Sequence, residues 1–193
     1  MKTPKILVLA GSTRTGSTNR LLARDAAESL RNAGVEAIFA DLRDYPMPLY
    51  DGDLEETSGL PPAAKTLKDL AREADAFAIA SPEYNGSYSA VLKNTIDWIS
   101  RAEGNEGSAS VFIGKPVAIL SASPGQGGGS RVLKELRHLF EGLRMNVTTN
   151  QVSIAQSGAA FDAEGRLQRP DDIESLHEIT EELIGAIRKK ATA

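Results

Sequence analysis

Cysteine is absent from the 193 residues. That absence removes disulfide scaffolds, thiol nucleophiles and cysteine-ligated zinc together. Histidine is nearly as scarce, with only His138 and His177 present. Neither belongs to a group of acids or histidines at metal-ligand spacing, so each reads as a partly exposed position on an amphipathic helix. A Ser-His-Asp hydrolase is left with few candidate bases, and no metal site is expected. No apolar run approaches the roughly 20 residues of a membrane span. The run Ile6–Ala10 is shorter than the roughly 7–15 residues of a signal-peptide core, so a cytoplasmic location is expected. A basic surplus is missing as well. Lys plus Arg is 22 against 26 for Asp plus Glu, a formal charge of −4, which disfavours nucleic acid as a partner.

What is present suits one buried core: 41% of residues are hydrophobic and 25% charged. A single domain over residues 1–193 is the expectation. Short apolar runs at Ile6–Ala10, Val35–Ala40, Ala76–Ala80, Val117–Ser121 and Val147–Ile154 read as strands. Between and after them, Ser17–Ala33, Pro62–Glu73, Ser89–Arg101, Arg131–Leu143 and Asp171–Lys190 read as helices. Leu133, Leu136, Leu139, Phe140 and Leu143, for instance, recur at three- and four-residue steps. Alternation of this kind predicts an α/β fold, a five-stranded parallel sheet covered by helices on both faces. The flavodoxin-like strand order 2-1-3-4-5 is expected. Asp44–Pro61 reads as an irregular functional loop or oligomer contact, longer than ordinary connections.

Ligands in such sheets bind beyond the carboxyl ends of the strands, and three strands end in loops of unusual composition. The first loop, Gly11-Ser12-Thr13-Arg14-Thr15-Gly16-Ser17-Thr18-Asn19, joins several hydroxyls, a guanidinium and a helix N-terminus. That is the chemistry of a phosphate site. The plainer alternative is a Ser17 cap and a solvated Arg14. A P-loop is excluded because Ser17 stands at its lysine position, and G-x-G-x-x-G fails because Ser130 follows Gly125-x-Gly127 where a final Gly belongs. One terminal phosphate on an otherwise uncharged body fits better.

The second loop, Ser81-Pro82-Glu83-Tyr84-Asn85-Gly86-Ser87-Tyr88, offers an aromatic, an amide and a carboxylate to a planar heterocycle. It also reads as an ordinary Pro/Gly turn. The third, Ser121-Ala122-Ser123-Pro124-Gly125-Gln126-Gly127-Gly128-Gly129, leaves backbone bare for a flat ligand, or is a flexible surface loop.

These residues resemble the NAD(P)H-dependent FMN reductases of flavodoxin-like fold. The likeness rests on Gly11-Ser12-x-Arg14-x-x-Ser17-x-Asn19 and Pro82-Glu83-Tyr84-Asn85-Gly86-Ser87. It continues through Val91-Leu92-Lys93-Asn94-x-Ile96-Asp97-Trp98, Gly114-Lys115-Pro116, the glycine-rich loop and Leu136-Arg137. The resemblance implies noncovalent FMN with NAD(P)H as co-substrate. Ser12, Arg14, Ser17, Thr18 and Asn19 would hold the phosphate. Pro82, Glu83, Tyr84, Asn85 and Gly86, with Ser123, Pro124, Gly125, Gln126, Gly127 and Gly128, would border the isoalloxazine. It further implies a homodimer or homotetramer, with Lys93, Asn94, Asp97 and Trp98 either near the subunit boundary or simply packing their helix. Hydride would pass through flavin N5 to a quinone, chromate, azo or flavin acceptor in ping-pong order, with no catalytic side chain. Ser89-Ala90 departs from the Pro-Gly of many relatives, which is expected to alter the start of that helix. The rival class is a flavodoxin-type electron carrier, disfavoured by mild acidity and only 5% aromatics. A receiver domain lacks its acidic pair after the first strand, where Gly11-Ser12 stands.

Overall fold

Lys5–Ala10 forms β1, and its side chains divide between two cores. Ile6, Val8 and Ala10 face one side of the sheet and Leu7 and Leu9 the other, which is why the run shows no polar alternation. The computed structural model describes residues 3–191. Strands β2 (Glu36–Ala40), β3 (Ala76–Ala80), β4 (Pro116–Ala122) and β5 (Asn146–Val147) follow, all parallel, in the order β2-β1-β3-β4-β5. Helices α1 (Thr18–Asn32) and α6 (Pro170–Ala191) cover one face. Helices α3 (Pro62–Glu73), α4 (Ala90–Ile99) and α5 (Ser130–Gly142) cover the other. This is the expected flavodoxin-like three-layer sandwich.

The expected fifth strand is two strands. Its apolar ends form β5 (Asn146–Val147) and β6 (Val152–Ile154), each pairing parallel with β4. Between them Thr148 still donates its N–H to the Val117 carbonyl of β4, and side chains then take over the backbone groups of the polar residues that follow. Glu182 of α6 accepts the N–H groups of Thr149 and Asn150, and Arg137 donates to the Thr148 carbonyl.

Asp44–Pro61 also needs correction, since it contains helix α2 (Gly52–Ser58), N-capped by Asp51. The segment is docked on α4. Asn94 donates to the Pro48 carbonyl and accepts the Tyr50 N–H, both at 2.8 Å. Trp98 Nε1 donates to the same Pro48 oxygen, and its ring meets Tyr50 edge-on at 5.0 Å. Lys93 pairs with Asp97 along the helix. In the Gly114-Lys115-Pro116 motif, Lys115 Nζ donates to the carbonyls of Ala71 and Arg72, closing the C-terminus of α3. Burial, aided by the nearby Lys190 charge, pulls Lys115 down to about 8. Among the described residues no helix is long and apolar enough to cross a membrane, and no group of three metal-ligating side chains occurs.

Candidate active site

The loop between β1 and α1 is built as an anion cradle would be. Ser17 caps α1 by accepting the Arg20 N–H. Ser12 lies buried and its Oγ accepts the Arg14 N–H at 3.4 Å. The exposed Arg14 donates from Nη2 to the Gly16 carbonyl at 3.1 Å, and Thr18 Oγ1 lies 3.2 Å from Ser157 Oγ. The loop can lie against α4 because Gly11 has no side chain. A Cβ there would sit 2.8 Å from Leu92 Cβ and 2.9 Å from Ser89 Oγ. Ser89 caps α4 by accepting the Leu92 N–H and donates to the Gly11 carbonyl at 2.6 Å.

Asn19 is spent elsewhere. Its Nδ2 donates to the Ala122 carbonyl and its Oδ1 accepts the Ala122 N–H, so it joins α1 to the end of β4. In the second loop, Tyr84 and Ser87 pair across a tight turn with Asn85 at φ 54° and Gly86 at φ 83°. Both central residues have positive φ, the geometry that an Asn-Gly pair favours. Glu83 turns away to accept from Arg131 Nε at 2.8 Å and from the Val132 N–H at the start of α5. In the third loop, Gly128 and Gly129 have positive φ, and a Cβ at either would overlap Ser153 or Ser121. Close approach to β4 and β6 therefore accounts for these two glycines.

Ser12, Arg14, Ser17, Thr18 and Asn19 line one cleft of about 320 Å³ with Pro82, Glu83, Tyr84, Ala122, Ser123 and Pro124. Elements from three separate parts of the chain thus converge where the sequence reading put them. Asn85, Gly86, Gly125, Gln126, Gly127 and Gly128 do not line it. A neighbouring hollow of about 310 Å³ shares Ser12, Arg14 and Tyr84 and extends along Ser89–Val91. Tyr84, 54% exposed, stands between the two. A larger concavity of about 620 Å³ lies between α1, α6 and residues 162–167. Asp25, Glu28, Asp162 and Glu181 line it and none of the three loops described above enters it, so the smaller cleft is the better anion site.

Below the first loop lies a buried ion pair that the sequence did not signal. Arg20 Nη2 binds the Asp41 carboxylate, and Arg43 binds the same carboxylate from outside. Burial would raise Asp41, but the hydrogen bonds from Arg43 and Arg20 outweigh it and hold its carboxyl below the usual range.

A polar cradle on a helix N-terminus beside two loops at the carboxyl ends of parallel strands defines a flavodoxin-like ligand-binding sandwich. The model of the NADPH-dependent FMN reductase family matches residues 4–159, and the chain belongs to that family. It is 39% identical over 164 residues to an NAD(P)H-dependent FMN reductase of Pseudomonas aeruginosa, covering 84% of each protein. It is 37% identical over 140 residues to a quinone reductase of Escherichia coli K12, covering 70% of this chain and 69% of that one. Among solved structures it superposes on FerB, a flavoenzyme NAD(P)H:(acceptor) oxidoreductase of Paracoccus denitrificans. The TM-score is 0.82 at 26% identity, over 97% of this chain and 98% of that one. The chain is accordingly an oxidoreductase.

Proposed function

We propose that this chain is a single FMN-binding domain that oxidises NAD(P)H and reduces a small organic acceptor, a quinone before chromate, azo compounds or free flavin. The balanced reaction is NAD(P)H + H⁺ + quinone → NAD(P)⁺ + hydroquinone. The observation that carries the reading is the cleft itself. Its donor set suits a terminal phosphate at one end, and its walls at the other are the strand-end loops. The fit is chemical: Ser12, Ser17 and Thr18 supply hydroxyls, Arg14 a guanidinium with one intramolecular bond, and α1 its positive end. When bound, FMN supplies the two-electron chemistry by which donor and acceptor exchange hydride.

The residues have the tasks of holding and orienting. Arg14 and the hydroxyls hold the phosphate; Pro82, Tyr84, Ser123 and Pro124 border the ring. Glu83, engaged by Arg131 and α5, shapes the second loop and is not placed as a proton donor. Asn19 keeps the first and third loops in register. A cleft of about 320 Å³ lies at the small end of ligand sites, which run from roughly 300 to 1,000 Å³. With FMN filling it, one open flavin face would serve donor and acceptor in turn, which supports a ping-pong order. The family resemblance supports a homodimer or homotetramer with α4 near the subunit boundary. The test is the absorption spectrum of the purified protein, identification of the released flavin, and NADPH oxidation with a quinone. Released FMN and parallel initial-velocity lines are expected. Absence of flavin binding would sink the reading, and intersecting lines would sink its kinetic order.

A further inference from the structure

We infer that Arg20, fixed by Asp41, is the positioning residue that presets the β1–α1 loop for a phosphate; the inference rests on the FMN reading above. Arg20 does not line the cleft. Its side chain is 5% exposed and that of Asp41 9%. From this buried place Nη1 donates to the Thr15 carbonyl at 3.2 Å while Nη2 holds Asp41, just past the end of β2. Asp41 is itself fixed by the Arg43 N–H at 3.2 Å and the Arg43 guanidinium at 3.0 Å.

Stability does not account for the pair. Removing two charges from water costs several kcal/mol per ion, and apolar residues of equal volume are often as stable or more so. Arg20 Nε adds to that cost, being the one buried side-chain polar atom among the described residues without a partner. What the pair does provide is direction. Three successive carbonyls of the loop are engaged within the protein: Arg14 by the Ser17 N–H, Thr15 by Arg20 and Gly16 by Arg14. Carbonyl oxygens would repel an anion, so tying them down leaves the N–H groups of Thr13, Thr15 and Gly16 for it. A planar fork can serve Thr15 and Asp41 at once, whereas an ammonium serves them less well.

The test compares the whole protein with Arg20→Gln, Arg20→Lys and Asp41→Asn, titrating each with FMN and with riboflavin. Arg20→Gln should weaken FMN about tenfold or more, the effect of misplacing one charge-assisted phosphate contact, and riboflavin by less than about threefold. Arg20→Lys should fall between. Asp41→Asn should reproduce the FMN-selective loss, and the double variant should be no worse than the more severe single one, since both act through one device. Equal losses for both flavins, additive losses, or unchanged FMN affinity with only a lower Tm would overturn the inference. Hydrogen exchange of the apoprotein supplies the second readout. The hydrogen-bonded amides of Arg14 and Ser17 should exchange about tenfold faster in the variants while those of β3 stay protected, because only the loop is released. Unchanged loop exchange overturns the inference even where FMN binding fails for another reason. A wild type that binds FMN no better than riboflavin would instead count against the cofactor reading, leaving exchange to judge the clamp. Should Arg20→Gln not fold, Arg20→Lys and Asp41→Asn decide.

Discussion

Asn19 and Ala122 are joined by two hydrogen bonds, 2.7 Å from Nδ2 to the carbonyl and 2.9 Å from the backbone N–H to Oδ1. The amide thereby does for the end of β4 what a neighbouring strand would do. Both of its ends are used, so it serves the cleft by holding two loops together. Asn19→Ala should destabilise the fold by about 1–3 kcal/mol, the cost of stranding a buried donor and acceptor. Urea denaturation measures this. FMN and riboflavin affinities should fall together; a loss confined to FMN would return Asn19 to the phosphate.

Arg14 should show the opposite signature. It is exposed and holds one intraloop bond, so Arg14→Ala leaves stability nearly unchanged. FMN binding should weaken about tenfold to a hundredfold, with riboflavin little affected, because a charge-assisted bond is worth roughly 1.5–3 kcal/mol. Equal losses by fluorescence titration would refute its contact with phosphate.

Glu83→Gln removes the charge that meets Arg131 but keeps the side chain's size. FMN should be retained and turnover should drop by about tenfold or less, below the 10²–10⁴ typical of general acid–base catalysis. A greater fall in kcat with the flavin fully bound would make Glu83 a proton-transfer group.

Lys115 gives a pH test. Its folded-state value of about 8 lies below the ordinary 10.5. Between these values the unfolded chain binds more protons, so this group makes stability rise with pH across that window and adds no slope below it. A guanidinium at the same position stays charged throughout. The stability of wild type relative to Lys115→Arg should therefore increase from about pH 8 to about pH 10 in urea denaturation. A flat difference would show that Lys115 keeps its ordinary basicity.

The fold was legible where burial leaves a plain pattern. Residues Ile6–Ala10 and Ala76–Ala80 are apolar without interruption because both faces are covered, and Pro62–Glu73 carries its start signal and its period. Helix α2 was not legible because it buries none of its residues, so no apolar period marks it. The break at Thr148–Gln151 depends on Glu182 and Arg137, which only folding brings near. At the site, loop composition named the right strand ends. It could not tell that Asn85-Gly86 serves a turn or that Gly128 and Gly129 make room for Ser153 and Ser121. Nor did it reveal Arg20–Asp41, since a lone acid after a strand has no distinctive local pattern.

Trp98 is the chain's sole tryptophan, and its indole is tied to the Pro48 carbonyl with Tyr50 at its edge. The protein thus carries a built-in optical probe of the segment before α2. Its emission reports one thing at a time: whether that strap lies on α4 or has peeled off, in the apoprotein, without a label. A red shift with the backbone still folded would time the release of the strap separately from global unfolding.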